Sequence, residues 1–113
     1  MVGGVGGLQA TLAALIAADA DLLARKPRSL SMREAAALPL VAITAWEGLV
    51  DRAQIRANQT ALVHAGAAGV GYIALQLARA YGAEVFATVS ADKKKIVEGF
   101  GAVPNRLSFL FRG

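Results

Sequence analysis

The stretch LVHAGAAGVGYIALQLARAYGAEVFATVS, residues 62–90, changes its hydrophobic period twice, and this limits the folds open to the chain more than any other feature. Thr60 to His64 encloses an uninterrupted apolar run, Ala61-Leu62-Val63, of the kind that parallel sheets bury on both faces. From residue 69 to 81 the period becomes helical. Val70, Ile73, Ala74, Leu77, Ala78 and Tyr81 fall on one face, and Gly82 is placed to end the helix in a left-handed conformation. Glu84 to Val89, with its β-branched and aromatic residues, reads as a second strand. Strand, glycine turn, helix and strand in this order make a βαβ unit with parallel strands and a right-handed crossover, so the fold class is α/β.

The remainder of the 113 residues is one domain's worth of chain, and 56% apolar against 18% charged residues argues for a packed core rather than disorder. Gly3 to Gly7 form a flexible lead. The apolar run from Leu8 to Ala18 is helix or strand by periodicity alone. No Lys or Arg precedes it and it is too short to span a bilayer, so it reads as a piece of folded domain rather than a signal peptide. Asp19 and Asp21 mark a turn, and Lys26-Pro27 closes the region. Ser31-Met32-Arg33-Glu34 has capping-box spacing, and Pro39 stops the helix that follows it through Ala37. Val41, Ala42, Ala45, Trp46, Leu49 and Val50 then predict a helix over 41–53, with Arg52 and Arg56 near its C-terminal end. Ser90 or Asp92 caps a further helix from Lys93 to about Phe100.

Net charge is +4, but the basic residues sit in small groups (Arg25, Lys26 and Arg28; Arg52 and Arg56; Lys93 to Lys95) almost without interleaved aromatics. That distribution excludes a nucleic-acid partner, which needs a basic face with stacking side chains. With no cysteine and a single histidine, His64, thiolate chemistry is removed and no metal site is expected. Absence of cysteine suits a reducing, cytoplasmic setting. His64, at the end of the first strand without a carboxylate nearby in sequence, reads as structural.

The turn itself is Gly66-Ala67-Ala68-Gly69-Val70-Gly71. In a dinucleotide-binding turn the first glycine permits the tight bend, the second lets backbone approach a pyrophosphate, and the third lets helix and strand pack closely. Gly66 and Gly71 occupy the first and third places, while Ala68 stands in the second with Gly69 beside it. Two readings stay open at this point: a cradle for a pyrophosphate at a helix N-terminus, or a corner whose glycines serve packing alone. At the end of the second strand no acid awaits a ribose hydroxyl. Ser90 and then Lys93, Lys94 and Lys95 follow, which reads as NADP rather than NAD, with at least one of the lysines merely solvated.

AAALPLVAITAWEGLVDRA followed by TALVHAGAAGVGYIALQLARAYGAEVFATVSADKKK resembles the zinc-independent quinone oxidoreductase branch of the medium-chain dehydrogenase/reductases, over about residues 8–103. The resemblance implies an NADPH-dependent reductase of a quinone, enone or similar conjugated carbonyl, with no side chain singled out as a catalytic acid or base. It carries the nicotinamide-facing threonine over to Thr44, the pyrophosphate-binding backbone to Gly66, Ala67, Ala68, Gly69, Val70 and Gly71, and the 2'-phosphate contacts to Ser90 and Lys94. It further implies a partial Rossmann-like unit in a truncated chain, incomplete for turnover alone. Residues 1–30 would be a remnant of a catalytic barrel domain, 31–58 connecting helices, 59–103 the first βαβ unit, and 104–113 a tail in which PNRLSFLFRG leaves the family's pattern. Such a chain has no membrane partner, and its open sheet edges are available to a second copy.

Overall fold

The computed structural model describes residues 14–105. The glycine lead, the apolar run up to residue 13, and residues 106–113 of the tail lie outside the described residues. The chain divides into two compact units, Met1–Ile43 and Thr44–Gly113.

In the first unit the local sequence signals act as expected. Asp19 caps a 3₁₀ turn, Ala20–Leu22, its carboxylate accepting from the Asp21 amide at 3.0 Å. Ser31 and Glu34 close a full capping box at the start of helix α1, Met32–Ala37. The Glu34 amide donates to Ser31 Oγ at 3.2 Å and the Ser31 amide donates to Glu34 Oε2 at 2.8 Å. The bond from the Ser31 amide, and then the one from its hydroxyl, hold the Glu34 carboxyl below its usual range. Residues 14–18 of the apolar run are neither helix nor strand.

Pro39 ends α1 and opens α2, Pro39–Trp46, because a residue without an amide proton breaks a helix interior yet suits a first turn. The helix expected over 41–53 therefore begins two residues earlier. It also changes character. Glu47–Arg52 form a π-helical segment in which the Ala53 amide donates to the Gly48 carbonyl at 3.0 Å, one residue beyond α-helical spacing. Arg52 pairs with Glu47 at 2.7 Å on the surface, a contact worth under about 1 kcal/mol when both partners are exposed.

The second unit holds the sheet. Strands β1 (Thr60–Val63), β2 (Glu84–Thr88) and β3 (Val103–Asn105) lie in the order β1-β2-β3, all parallel. Helix α3 (Gly69–Ala80) connects β1 to β2; a 3₁₀ turn (Ala91–Lys93) and helix α4 (Lys94–Gly99) connect β2 to β3. The register sets Ala61 opposite Val85 and Val63 opposite Ala87. These four point to one side, where Leu75 and Ala78 of α3 and Val97 of α4 complete the core. Gly82 closes α3 at φ +82°, as its position predicted, and its carbonyl accepts from Asn58 at 3.0 Å to fix the entry to β1.

Two expectations are corrected. First, β1 is not buried on both faces: its residues alternate, and Leu62 is 55% exposed in a row with Phe86 and Val103. Among the described residues both helices that pack on the sheet meet the opposite side, through Leu75 and Val97, so one face of the apolar run stays open. Second, the buried face of α3 is Gly71, Ala74, Leu75 and Ala78, whereas Val70 and Tyr81 are exposed. The close approach of Gly71 to the turn, described below, fixes the helix rotation and carries residues four and seven positions further on into the core. Beyond β2 the sheet adds a third strand, with Pro104 paired to Ala87 and Asn105 to Thr88. Proline is tolerated because β3 is an edge strand. No helix among the described residues is long and apolar enough to cross a membrane.

Candidate dinucleotide site

The turn after β1 is shaped by what it cannot contain. A Cβ on Gly66 would lie 2.7 Å from Ala87 Cβ, 3.2 Å from Val97 Cγ1 and 3.3 Å from Leu75 Cδ1, so the chain crosses the core there without a side chain. A Cβ on Gly71 would fall 2.2 Å from the Ala65 carbonyl oxygen and 2.9 Å from Gly66 Cα, so α3 starts against the backbone of its own turn. Gly71 allows the close approach of helix and turn expected of a third glycine, whereas Gly66 keeps a side chain out of the core and has no positive φ. Between them the Ala68 amide donates to the Ala65 carbonyl at 2.9 Å, and Ala65 adopts φ +52°, an uncommon conformation for alanine.

Ala68 is the N-cap of α3, extended at φ −89° and ψ 168°, and makes no side-chain cap. The Gly69, Val70 and Gly71 amides therefore open the helix with no side chain serving as acceptor among the described residues, and Ala68, Gly69 and Val70 are exposed. The first amides of a twelve-residue helix lie at its positive end, which favours an anion, and no acidic side chain occupies the first turn. A diphosphate fits this helix start in charge and in its need for bare backbone.

The segment beyond β2 is tied to the same place. The Gly66 amide donates to the Thr88 carbonyl at 3.0 Å, and the Ala65 amide donates to Thr88 Oγ1 at 3.0 Å. Two residues on, Ser90 is exposed and begins the 3₁₀ turn. The expected side-chain cap is not made. The neighbouring Ser90 hydroxyl, foremost, holds the Asp92 carboxyl below its usual range. Lys94 is half-buried at the first position of α4, while Lys93 and Lys95 are exposed.

Thr44 is placed on a separate element. It is exposed near the end of α2, two residues before Trp46, whose ring meets Tyr81 edge-on with centroids 6.3 Å apart. That contact sets Trp46 beside the C-terminal end of α3, away from its glycine-bearing start. Among the described residues there is no cluster of three or more histidine, cysteine or acidic side chains suited to a metal.

Thr88 escaped the sequence reading, and Asp92 entered it only as a helix cap. Thr88 is buried and supplies both oxygens that hold the turn; Asp92 places a carboxyl, held below its usual range by Ser90, beside the lysines. A threonine ending an apolar strand, one residue beyond the Val63–Ala87 pair, was the available signal for the first.

No family model matches the chain. Among curated proteins it is 46% identical over 87 residues to a putative inactive phenolphthiocerol synthesis polyketide synthase of Mycobacterium tuberculosis, covering 77% of this chain and 5% of the relative. Among solved structures it is similar to an alcohol dehydrogenase superfamily protein from Novosphingobium aromaticivorans, with 54% identity and a TM-score of 0.78 over 80% of this chain and 27% of that one. The CurK enoyl reductase shares 39% identity with a TM-score of 0.72, over 78% of this chain and 27% of that one. A mycobacterial protein solved in complex with NADPH shares 38% identity, also with a TM-score of 0.72, over 79% of this chain and 28% of that one. The chain thus spans about a quarter of these structures and about a twentieth of the polyketide synthase. Parallel sheet, glycine turn and these likenesses together place the chain in the medium-chain dehydrogenase/reductase superfamily, whose similar solved members include an alcohol dehydrogenase superfamily protein, a quinone oxidoreductase and an enoyl reductase.

Proposed function

We propose that the chain supplies the phosphate-binding part of a nicotinamide dinucleotide site in a reductase of conjugated carbonyl compounds, and that it prefers NADPH to NADH. The observation that carries this reading is the uncapped start of α3, held open by Gly66 and Gly71 with bare amides at Gly69, Val70 and Gly71. Support also comes from the similar mycobacterial protein solved with NADPH and from the similar enoyl reductase.

A nicotinamide held there would supply the hydride for reducing a double bond conjugated with a carbonyl, as in an enoyl ester, an enone or a quinone, with the balancing proton taken from solvent. The chain's own residues bind and orient. The backbone of Gly66, Ala67 and Ala68 shapes the turn, the three amides after it meet the pyrophosphate, and Ser90 with Lys94 takes the 2'-phosphate. Thr44 belongs at the nicotinamide end. Three lysines, Lys93 to Lys95, outweigh the single carboxylate of Asp92 in the same segment, which favours a dianionic group over a hydroxyl. Residues 1–30 and 31–58 would then belong to a catalytic domain and its connection, with 59–103 as the first βαβ unit of the cofactor domain. The open edges of the sheet are available to another strand, including one from a second copy. The working compartment in this reading is the cytoplasm.

Lys94→Glu tests the preference. A charged hydrogen bond contributes about 1.5–3 kcal/mol, so reversing the charge is expected to weaken NADPH by about tenfold or more while NADH changes by less than about threefold. Parallel fluorescence titrations read both constants. Equal losses for the two nucleotides, or no saturable binding by the unaltered chain, would overturn the reading.

A further inference from the structure

We infer that Thr88 is a positioning residue for the turn that opens α3. It rests on the dinucleotide reading for its consequence, but on bond geometry for its substance. Thr88 offers two oxygens to two consecutive amides: Oγ1 accepts from Ala65 and the main-chain carbonyl accepts from Gly66, both at 3.0 Å. Oγ1 also lies 3.3 Å from His64 Nδ1. Three successive residues of the turn are thereby referred to one buried residue on the neighbouring strand, two of them to its hydroxyl and one to its carbonyl. The residue between the two bonds that matter most, Ala65, holds φ +52°, a conformation that alanine leaves readily unless its neighbours fix it.

The consequence reaches α3 through Gly71. The Ala65 carbonyl accepts from the Ala68 amide and is the atom that a Cβ at Gly71 would strike, so the orientation of the Ala65 peptide sets where the first helical amides point. If Ala65 relaxed to an ordinary conformation, its carbonyl would swing out of the position against which α3 starts. The hydroxyl of Thr88 therefore selects one shape of the turn, and a methyl in its place would not.

Thr88→Val, Thr88→Ser and the pair Thr88→Val with Ala65→Gly, made in the full chain, test this. Valine keeps the shape of threonine and removes the hydroxyl; serine keeps the hydroxyl and removes a methyl. Thr88→Val is expected to speed amide exchange at Ala65 by about tenfold or more, to change Gly66 by less than about threefold because its carbonyl acceptor remains, and to weaken NADPH by about tenfold. Thr88→Ser should stay within about threefold on all counts. Ala65→Gly should recover most of the NADPH affinity lost by Thr88→Val, since glycine takes positive φ without a side-chain penalty. A packing role predicts the reverse order, with serine worse than valine, and that order or an unchanged Ala65 exchange rate overturns the inference. The expected exchange pattern in a chain with no saturable NADPH binding would leave the clamp standing and overturn only the cofactor reading.

Discussion

Gly71→Ala is expected to destabilise the chain by about 2 kcal/mol or more, even though alanine in place of glycine inside a helix ordinarily adds up to about 1 kcal/mol. The difference lies in what the new methyl meets. At Gly71 it would fall 2.2 Å from the Ala65 carbonyl oxygen and 2.9 Å from Gly66 Cα, and both are backbone atoms with no rotamer to change. Relief requires moving the start of α3 off the turn, which also withdraws Leu75 and Ala78 from the core. Overpacking typically costs 1–3 kcal/mol, roughly, and a backbone collision of this depth belongs at or above the upper end. Gly48→Ala is the internal control. Nothing lies within 4 Å of the position its Cβ would take, so the same substitution there should leave stability unchanged or raise it by up to about 1 kcal/mol. Denaturant midpoints at constant slope measure both. Opposite signs are the expected result; a harmless Gly71→Ala would mean that helix and turn do not touch.

Leu75→Ala should have the larger effect on the core, about 3.5–5 kcal/mol. Leu75 is fully buried among Ala78, Val85, Ala87 and Val97, beneath Gly66. Truncating a buried leucine costs about 2–5 kcal/mol, with the value set by how far the surroundings collapse into the cavity. Here Ala78, Ala83, Ala87 and Ala102 make up much of the core, and alanines have no long side chains to swing into a gap. The upper half of the range follows. Leu62→Ala, on the open face of β1, removes a side chain already 55% exposed and should cost under about 1 kcal/mol. Thermal unfolding separates the two, since each kcal/mol moves the midpoint of a domain of this size by about 4–8 °C.

Local signals were legible in the sequence wherever one residue type has one mechanical use. Ser31 with Glu34, Pro39 at a helix junction, Gly82 at a helix end, and the change of period between residues 60 and 89 all correspond to elements that formed. Rotation about the axis of α3 was not legible, because hydrophobicity alone favours Val70 and Ile73, whereas a backbone contact at Gly71 decides which side faces inward. Nor does an apolar run such as Ala61-Leu62-Val63 state how many of its faces are covered; that depends on where the crossover helices lie. The turn's glycines were readable, but the hydroxyl that holds the turn was not. Thr88 is distant in sequence from Ala65 and becomes its partner only through the parallel register of β1 and β2. The same holds for Asp92, whose claim on Ser90 depends on the 3₁₀ turn between them.

An anionic dinucleotide resting on the first amides of α3 is the physical claim from which function follows. The most direct measurement is a titration of the isotopically labelled full chain with NADPH, following the amide resonances of Gly69, Val70 and Gly71 alongside those of Gly82 and Gly101 as distant references. Saturable shifts are predicted at the three helix-opening amides and at Ser90 and Lys94, sharing one dissociation constant, with the reference glycines still. Saturation that moves Ser90 and Lys94 while the amides of Gly69 to Gly71 stay in place would contradict it.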